Sequence, residues 1–513
     1  MKRTLVLRFT TLLMLVIFVS ACSKKTEYTN VIPNNISAVV SINVKAIFNK
    51  AGLDQKNNHG LKQKMIDALK QDLDAKIFEQ AQKIINNPSE SGLDLNAPLY
   101  LFTSPTFTTP VVVAKVRNYK KLNSLIQTLS ADQVCQPIAK KNNYHFTSFD
   151  NNLLIFNKSA VLLITLNDKF DLEKAKSIAD NLMKRKDKQN ITNTPNIKKA
   201  LKGNNDINFF TSLAAIPKAY NGIMRIAIPT QINSEEINIS GSLNFENGKI
   251  NLQFKNSSSD PKVNALLEKR SAFIHPLNGT FIKDFPISVF AFLNINVNGR
   301  ELFNMIHNNP DFQNNISLAQ ESEIKKVFDA INGDIAIGLT DLTLTGMPSF
   351  IAFAEVKNEK VLNTLFDNMK LFGLPPGLVL KKTDNNHYIF NDLYIGIRNK
   401  KEMYITNNKT IGSNINQVPT KSLVNAPYAT DIKGKKIFFA LDMNSLLNLS
   451  TTKVLSTFGG NQYQLYSLMA SQISYIEGFN GKEGDTEIHL MLKNKEENAL
   501  KQILDFAKHI TGM

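Results

Sequence analysis

Short apolar runs alternate along this chain with longer segments whose apolar residues recur every three to four positions. VVVAKV from Val111, LLIF from Leu153 and VLLITL from Val161 are brief, apolar and bounded by Asn, Asp or Pro, which predicts strands. Residues 61–85 carry Leu61, Ile66, Leu69, Leu73, Ile77, Ala81 and Ile84, a spacing that predicts a helix with one apolar stripe. Between INISGSLNF and INLQF lies ENGK at residues 246–249, and Asn-Gly supplies the positive φ angles of a tight hairpin turn. KEGD at residues 482–485 occupies a matching slot before a last helix expected over residues 495–510, with Leu500, Ile503, Leu504 and Ala507 on one face. Strands joined by hairpins, with helices between them, predict an α+β fold: a mostly antiparallel sheet with helices packed on one face.

The pattern repeats. AKVRNYKKLNSL from Ala114 aligns without gaps to AEVKNEKVLNTL from Ala354, at a spacing of 240 residues, and seven of the twelve positions are identical. Further pairs follow in the same order. AVVSINVKAIFNK from Ala38 parallels VFAFLNINVNGRELFN from Val289, NFF at Asn208 parallels IFF at Ile437, and INLQFKN at Ile250 parallels IHLMLKN at Ile488. NAL at Asn264 likewise parallels NAL at Asn498. These matches predict a tandem duplication, with a first α+β repeat over residues 31–270 and a second over residues 281–513. The shared residues are scaffold chemistry. Asn118 and Asn358 sit before a helix, where a side-chain oxygen caps free amides, and Leu122, Leu125, Leu362 and Leu365 fall on its core face. No histidine or carboxylate pair is among the matches, which argues against a catalytic site repeated in both halves.

The chain opens on Lys2, Arg3 and Arg8, then a mostly apolar stretch over residues 9–19, then Ser20-Ala21. That is the form of a signal peptide over residues 1–21, too short in its apolar part to span a bilayer. Val19-Ser20-Ala21-Cys22 resembles the lipobox of bacterial lipoproteins, whose cysteine sulfur takes a diacylglycerol before cleavage and whose new amino terminus is then acylated. Cys22 is therefore the expected lipid-attachment site, with residues 22–30 as an acylated tether; two or three acyl chains give stable membrane anchoring. Cys135, the second of only two cysteines, has no partner left and is expected to be buried as a small apolar side chain.

Removing the three basic residues of the leader takes the count from 60 to 57 against 44 acidic residues, so the remainder is still about +13. An exported protein does not meet the chromosome, and no nucleic-acid motif accompanies the charge. The densest cluster is KRKDK at residues 184–188. It closes a helix expected from about residue 171, where cations offset the negative end of the helix dipole. Anionic lipid head groups are the further partner that such a basic body, tethered close to a bilayer, is expected to meet.

Catalytic signatures are absent from the sequence. His59, His145, His275, His307, His387, His489 and His509 are dispersed singly, without HExxH or paired ligands, so no metal site is expected. There is no phosphate-cradling glycine loop and no GxSxG elbow. Ser-x-x-Lys occurs at Ser259/Lys262, Ser322/Lys325 and Ser450/Lys453, but its companions Ser-Asp-Asn and Lys-Thr-Gly are missing. The chain has no tryptophan, which demotes a sugar-stacking platform.

YTNVIPNNISAVVSINVKAIFNKAGL from Tyr28 and SGLDLNAPLYLF from Ser91, together with the lipobox, resemble the Bacteroidota lipoproteins grouped as domain-of-unknown-function family 4836. The resemblance implies an envelope lipoprotein and transfers no catalytic residues. The expected function is a membrane-anchored, non-catalytic binding or scaffolding module without cofactors, in contact with the membrane through its anchor and with envelope proteins. Two rivals stand beside it: an envelope hydrolase with a site assembled from distant residues, and a surface adhesin for glycans or host factors. Ser23-Lys24-Lys25 after the cysteine, in place of an acidic cluster, favours the periplasmic face of the outer membrane over the cell surface.

Overall fold

The structure is a computed structural model. It describes residues 27–53, 75–166, 172–185, 190–217, 232–271, 274–307, 318–343, 346–367, 381–384, 387–390, 392–458, 460–481 and 484–511, with single positions between 63 and 70. The leader and Cys22 lie outside the described residues. Two compact units are present, one of Met1–Tyr220, Ser234–Asn247 and Glu496–Met513, the other of Asn221–Asn233 and Gly248–Lys495.

The first unit holds strands β1 (Ala38–Ile42), β2 (Leu99–Ser104), β3 (Phe107–Lys115), β4 (Ala139–Lys141), β5 (Tyr144–Phe149), β6 (Asn152–Phe156), β7 (Ala160–Thr165), β8 (Ile207–Ser212) and β9 (Asn238–Glu246). All pair antiparallel, in the order β9-β8-β1-β2-β3-β7-β6-β5-β4. The three apolar runs from Val111, Leu153 and Val161 are β3, β6 and β7. Because β6 and β7 are apolar at successive positions, they bury side chains on both faces. Leu154, Phe156, Val161 and Leu163 pack with Ile77, Ile84, Leu122 and Ile126, from the helices Ala75–Asn86 and Tyr119–Ala131. Leu153, Ile155, Leu162 and Ile164 pack with Ala175, Ala179 and Leu182 of the helix Leu172–Met183. Helices thus cover both faces of this sheet, where a helical layer on one face was expected.

The two stretches that carried the family resemblance meet here. The Tyr28 hydroxyl donates to the Pro98 carbonyl at 2.9 Å, and its ring lies 5.9 Å from that of Tyr100. Asn118 caps its helix as expected, accepting from the Lys121 N–H at 3.2 Å. Cys135 is a buried free thiol, and burial pushes its pKa up. The last helix begins at Ala499, four residues later than expected. Asn498 delays it by bridging to Asn247 and by accepting the Leu500 N–H at 3.0 Å. This helix packs on β9 and on the helix Val44–Lys50.

The second unit holds β10 (Lys249–Ser257), β11 (Ile274–His275), β12 (Ala291–Asn298), β13 (Ile331–Asp341), β14 (Ser349–Val356), β15 (Lys381–Asp384), β16 (His387–Phe390), β17 (Leu393–Arg398), β18 (Glu402–Thr406), β19 (Ile437–Asp442), β20 (Ile473–Asn480) and β21 (Thr486–Leu492). Its antiparallel order is β10-β21-β20-β19-β12-β13-β14-β18-β17-β16-β15, with β11 beside β12. From β20 to β15 this order follows the first unit's from β9 to β4. Rings fill its core: Phe281 stacks on Phe353 with centroids 5.2 Å apart, and Phe285 meets both Phe292 and Phe353 edge-on. Asn358 accepts from the Lys360 N–H at 3.0 Å. Gly248 and Gly484 take positive φ of 62° and 75° at their turns, as the hairpin reading required.

Candidate functional site: a basic groove beside one helix

Polar and charged groups in this protein are mostly absorbed by neighbours. Buried Asp94 and Asp206 pair with Lys115 and Lys50 at 2.9 and 2.7 Å. His145 and His387 each meet a tyrosine hydroxyl, Tyr119 at 3.1 Å and Tyr404 at 2.8 Å, and His489 lies 2.9 Å from Glu477. His275 is exposed, His307 stacks on Phe303, and the side chains of His59 and His509 lie outside the described residues. Among the described residues no three His, Cys, Asp or Glu side chains are placed to hold a metal ion. Ser322 and Lys325 are both exposed on one helix, as are Ser450 and Lys453 on another.

One place differs. The helix Leu172–Met183 and the turn between β2 and β3 enclose a groove of 580 Å³, lined by Thr106, Phe107, Lys174, Ser177, Ile178, Asn181, Leu182, Lys184 and Arg185. Its geometry follows from the helix period. Positions 174, 177, 178, 181 and 182 lie three or four apart and so share one face, and Arg185 follows just past the helix end. Within that face Leu182 is buried and Ile178 packs against the core, while Lys174, Ser177 and Asn181 are exposed. Phe107, at the start of β3, is buried opposite them. The groove therefore has an apolar floor and a polar, cationic rim, and none of its lining residues is a carboxylate.

The cations are not equivalent. Lys184 is held by Asp180 at 2.7 Å. That ammonium, helped by the Tyr144 hydroxyl and by Lys141, holds the Asp180 carboxyl below its usual range. Arg185 is half-buried, and its Nε is buried with no hydrogen-bond partner among the described residues. Burial pushes its guanidinium below the ordinary arginine value. A guanidinium presents five donors in a fixed planar fork suited to carboxylate and phosphate oxygens, and an unmet buried donor forfeits its desolvation cost. Arg185 is among the residues that line the groove, so an anion entering it would meet this guanidinium.

The basic cluster at residues 184–188 was legible in the sequence as a solvated helix end. The structure adds that Arg185 turns into a groove; Lys186, Asp187 and Lys188 lie outside the described residues. The stripe Lys174, Ser177 and Asn181, with Arg185 continuing the spacing just past the helix end, was the signal available for it, a polar line beside the core stripe of the helix. Thr106 and Phe107, nearly 70 residues earlier, carried no such signal.

A family profile described as domain of unknown function (DUF4836) matches residues 28–500. The chain belongs to this family. The matched DUF4836 region begins at Tyr28, whose buried ring anchors the first unit, and it spans the groove. No curated protein matches the chain. Among solved structures it is similar to TP0453 in crystal form I, at 10% identity and a TM-score of 0.27, covering 50% of this chain and 89% of that one. Crystal form III of TP0453 gives the same identity and TM-score over 50% and 90%.

Proposed function

We propose that this DUF4836 chain is a lipid-anchored envelope binding module whose groove beside the helix Leu172–Met183 takes an anionic amphiphile. The lipobox supports an acyl anchor, such as palmitate, on Cys22. Ser23-Lys24-Lys25 supports the periplasmic face of the outer membrane. The matching strand orders of the two units support a tandem duplication. The observation that carries the reading is the unpartnered, buried Arg185 Nε above an apolar floor. Phe107, Ile178 and Leu182 would receive the hydrocarbon part, Arg185 the phosphate or carboxylate head, and Lys174 and Asn181 the rim of that head. The groove's volume falls within the range of small-ligand sites, and its split into an apolar floor with few polar groups is their usual composition.

Titration with monomeric dodecyl phosphate tests this. Arg185→Gln is expected to weaken binding about tenfold or more, the worth of one charge-assisted hydrogen bond. Lys198→Gln, an exposed lysine outside the groove, should leave binding within about twofold. Equal losses in both variants would mean that general basic charge, not the groove, holds the amphiphile.

A further inference from the structure

A second surface owes nothing to the groove. Residues 454–476 contain no Asp, Glu, Lys or Arg over 23 positions, in a chain that is one-fifth charged and +16 in net charge. Several of them are exposed, although Tyr475 at the far end belongs to the core. Tyr463, Tyr466, Leu468 and Met469 of the helix Gly460–Ser471 are 46%, 60%, 44% and 49% exposed, and Val454 of the preceding helix Ser450–Phe458 is 46% exposed. Tyr463, Tyr466 and Met469 follow one another at intervals of three, which places them along one face. The helix packs against the helices Met443–Asn448 and Ser450–Phe458 and against β20. An apolar helix without a charged face is ordinarily covered.

Charge decides among the occupants. A helix that lies in a bilayer surface carries Lys and Arg along its polar face and is strongly amphipathic; this one has no charged residue on any face. An acidic protein partner would be met by lysines, in which the rest of the chain is rich. A second copy of the same chain is different, because in a two-fold contact each patch meets itself and like charges would oppose one another. On so basic a protein, a neutral patch is the surface that two copies can bring together without repulsion. Its composition also fits, since tyrosine and methionine are enriched in protein interfaces. The amides of Gln462 and Gln464 on the same exposed helix can donate and accept, so they can pair with their own copies.

We infer that the face formed by Tyr463, Tyr466 and Met469, with Val454, is a homodimer contact. The test uses the full chain in mild detergent, followed by sedimentation velocity. Wild type should sediment as a dimer, and Tyr466→Lys/Met469→Lys should raise the dissociation midpoint at least tenfold, with the melting temperature unchanged. As a check independent of stability, Tyr463→Cys, Tyr466→Cys and Met469→Cys are each oxidised; at least one should give a disulfide-linked dimer, whereas Lys198→Cys should give none. A monomeric wild type would overturn the inference, as would a dimer unaffected by the two lysines. Binding of wild type to phosphatidylcholine vesicles as a monomer, lost in the lysine variant, would assign the face to a bilayer and equally overturn it.

Discussion

Asp284→Ala is expected to destabilise the second unit by about 3–5 kcal/mol, the cost of taking one partner from a buried ion pair. Arg398, at the end of β17, is 8% exposed and Asp284 6%. Its Nη2 lies 2.6 Å from Asp284 Oδ2 and its Nε 2.9 Å from Glu402 Oε2. Nη1 donates to the Ile415 carbonyl at 3.1 Å, and the guanidinium sits over the Phe353 ring at 4.4 Å. This arginine therefore ties a loop preceding β12, the β17–β18 hairpin and a segment before β19 to the aromatic core. Removing Asp284 leaves the buried cation with Glu402 alone as its carboxylate, and the side of the guanidinium that faced Asp284 loses its partner. Replacing both members of the pair, as Asp284→Ala/Arg398→Met, removes the buried cation and leaves only the half-buried Glu402 unpaired, so it should recover much of the loss. Urea unfolding of the three variants checks this; equal losses in the single and double variants would show that packing, not charge, sets the penalty.

Gly92→Ala should cost the first unit about 2–4 kcal/mol, through two effects that a comparison separates. Gly92 has a φ of 77°, which disfavours a side chain by about 1–2 kcal/mol. A Cβ there would also stand 2.5 Å from the Asn118 carbonyl oxygen and 2.6 Å from the Leu122 N. Neither atom can yield, because the Gly92 carbonyl accepts the N–H groups of Arg117 and Asn118, both at 2.9 Å, and so fixes the start of the helix Tyr119–Ala131. Gly279 has nearly the same φ, 73°, but open space where its Cβ would be. Gly279→Ala should therefore lose only the conformational part. If thermal unfolding shows equal losses at the two glycines, the close approach at Gly92 contributes nothing.

Short-range features of this fold were legible in the sequence because neighbours along the chain decide them. Apolar runs became β3, β6 and β7, Asn118 and Asn358 bonded amides at their helix starts, and Gly248 took the turn that Asn-Gly anticipates. The second helical layer was also written there, in runs such as VLLI from Val161 that are apolar at four successive positions and so need cover on both faces. Long-range features were hidden. Asp284 and Arg398 are 114 residues apart, and nothing in either local sequence marks them as partners. The groove joins Thr106 and Phe107 to a helix some 70 residues later, so its basic end read only as the close of a helix. Arg185 stood in plain view as one cation among many; its difference lies in burial and in an unmet donor, which only packing creates.

The most direct measurement of the binding claim is the arginine Nε–H spectrum of 15N-labelled protein during titration with dodecyl phosphate, the Arg185 resonance being assigned by its loss in Arg185→Lys. The account predicts a saturable shift of the Arg185 signal with dodecyl phosphate and at most a weak one with inorganic phosphate, because the apolar floor supplies part of the affinity. An Arg185 resonance that stays still while the amphiphile binds elsewhere would contradict it.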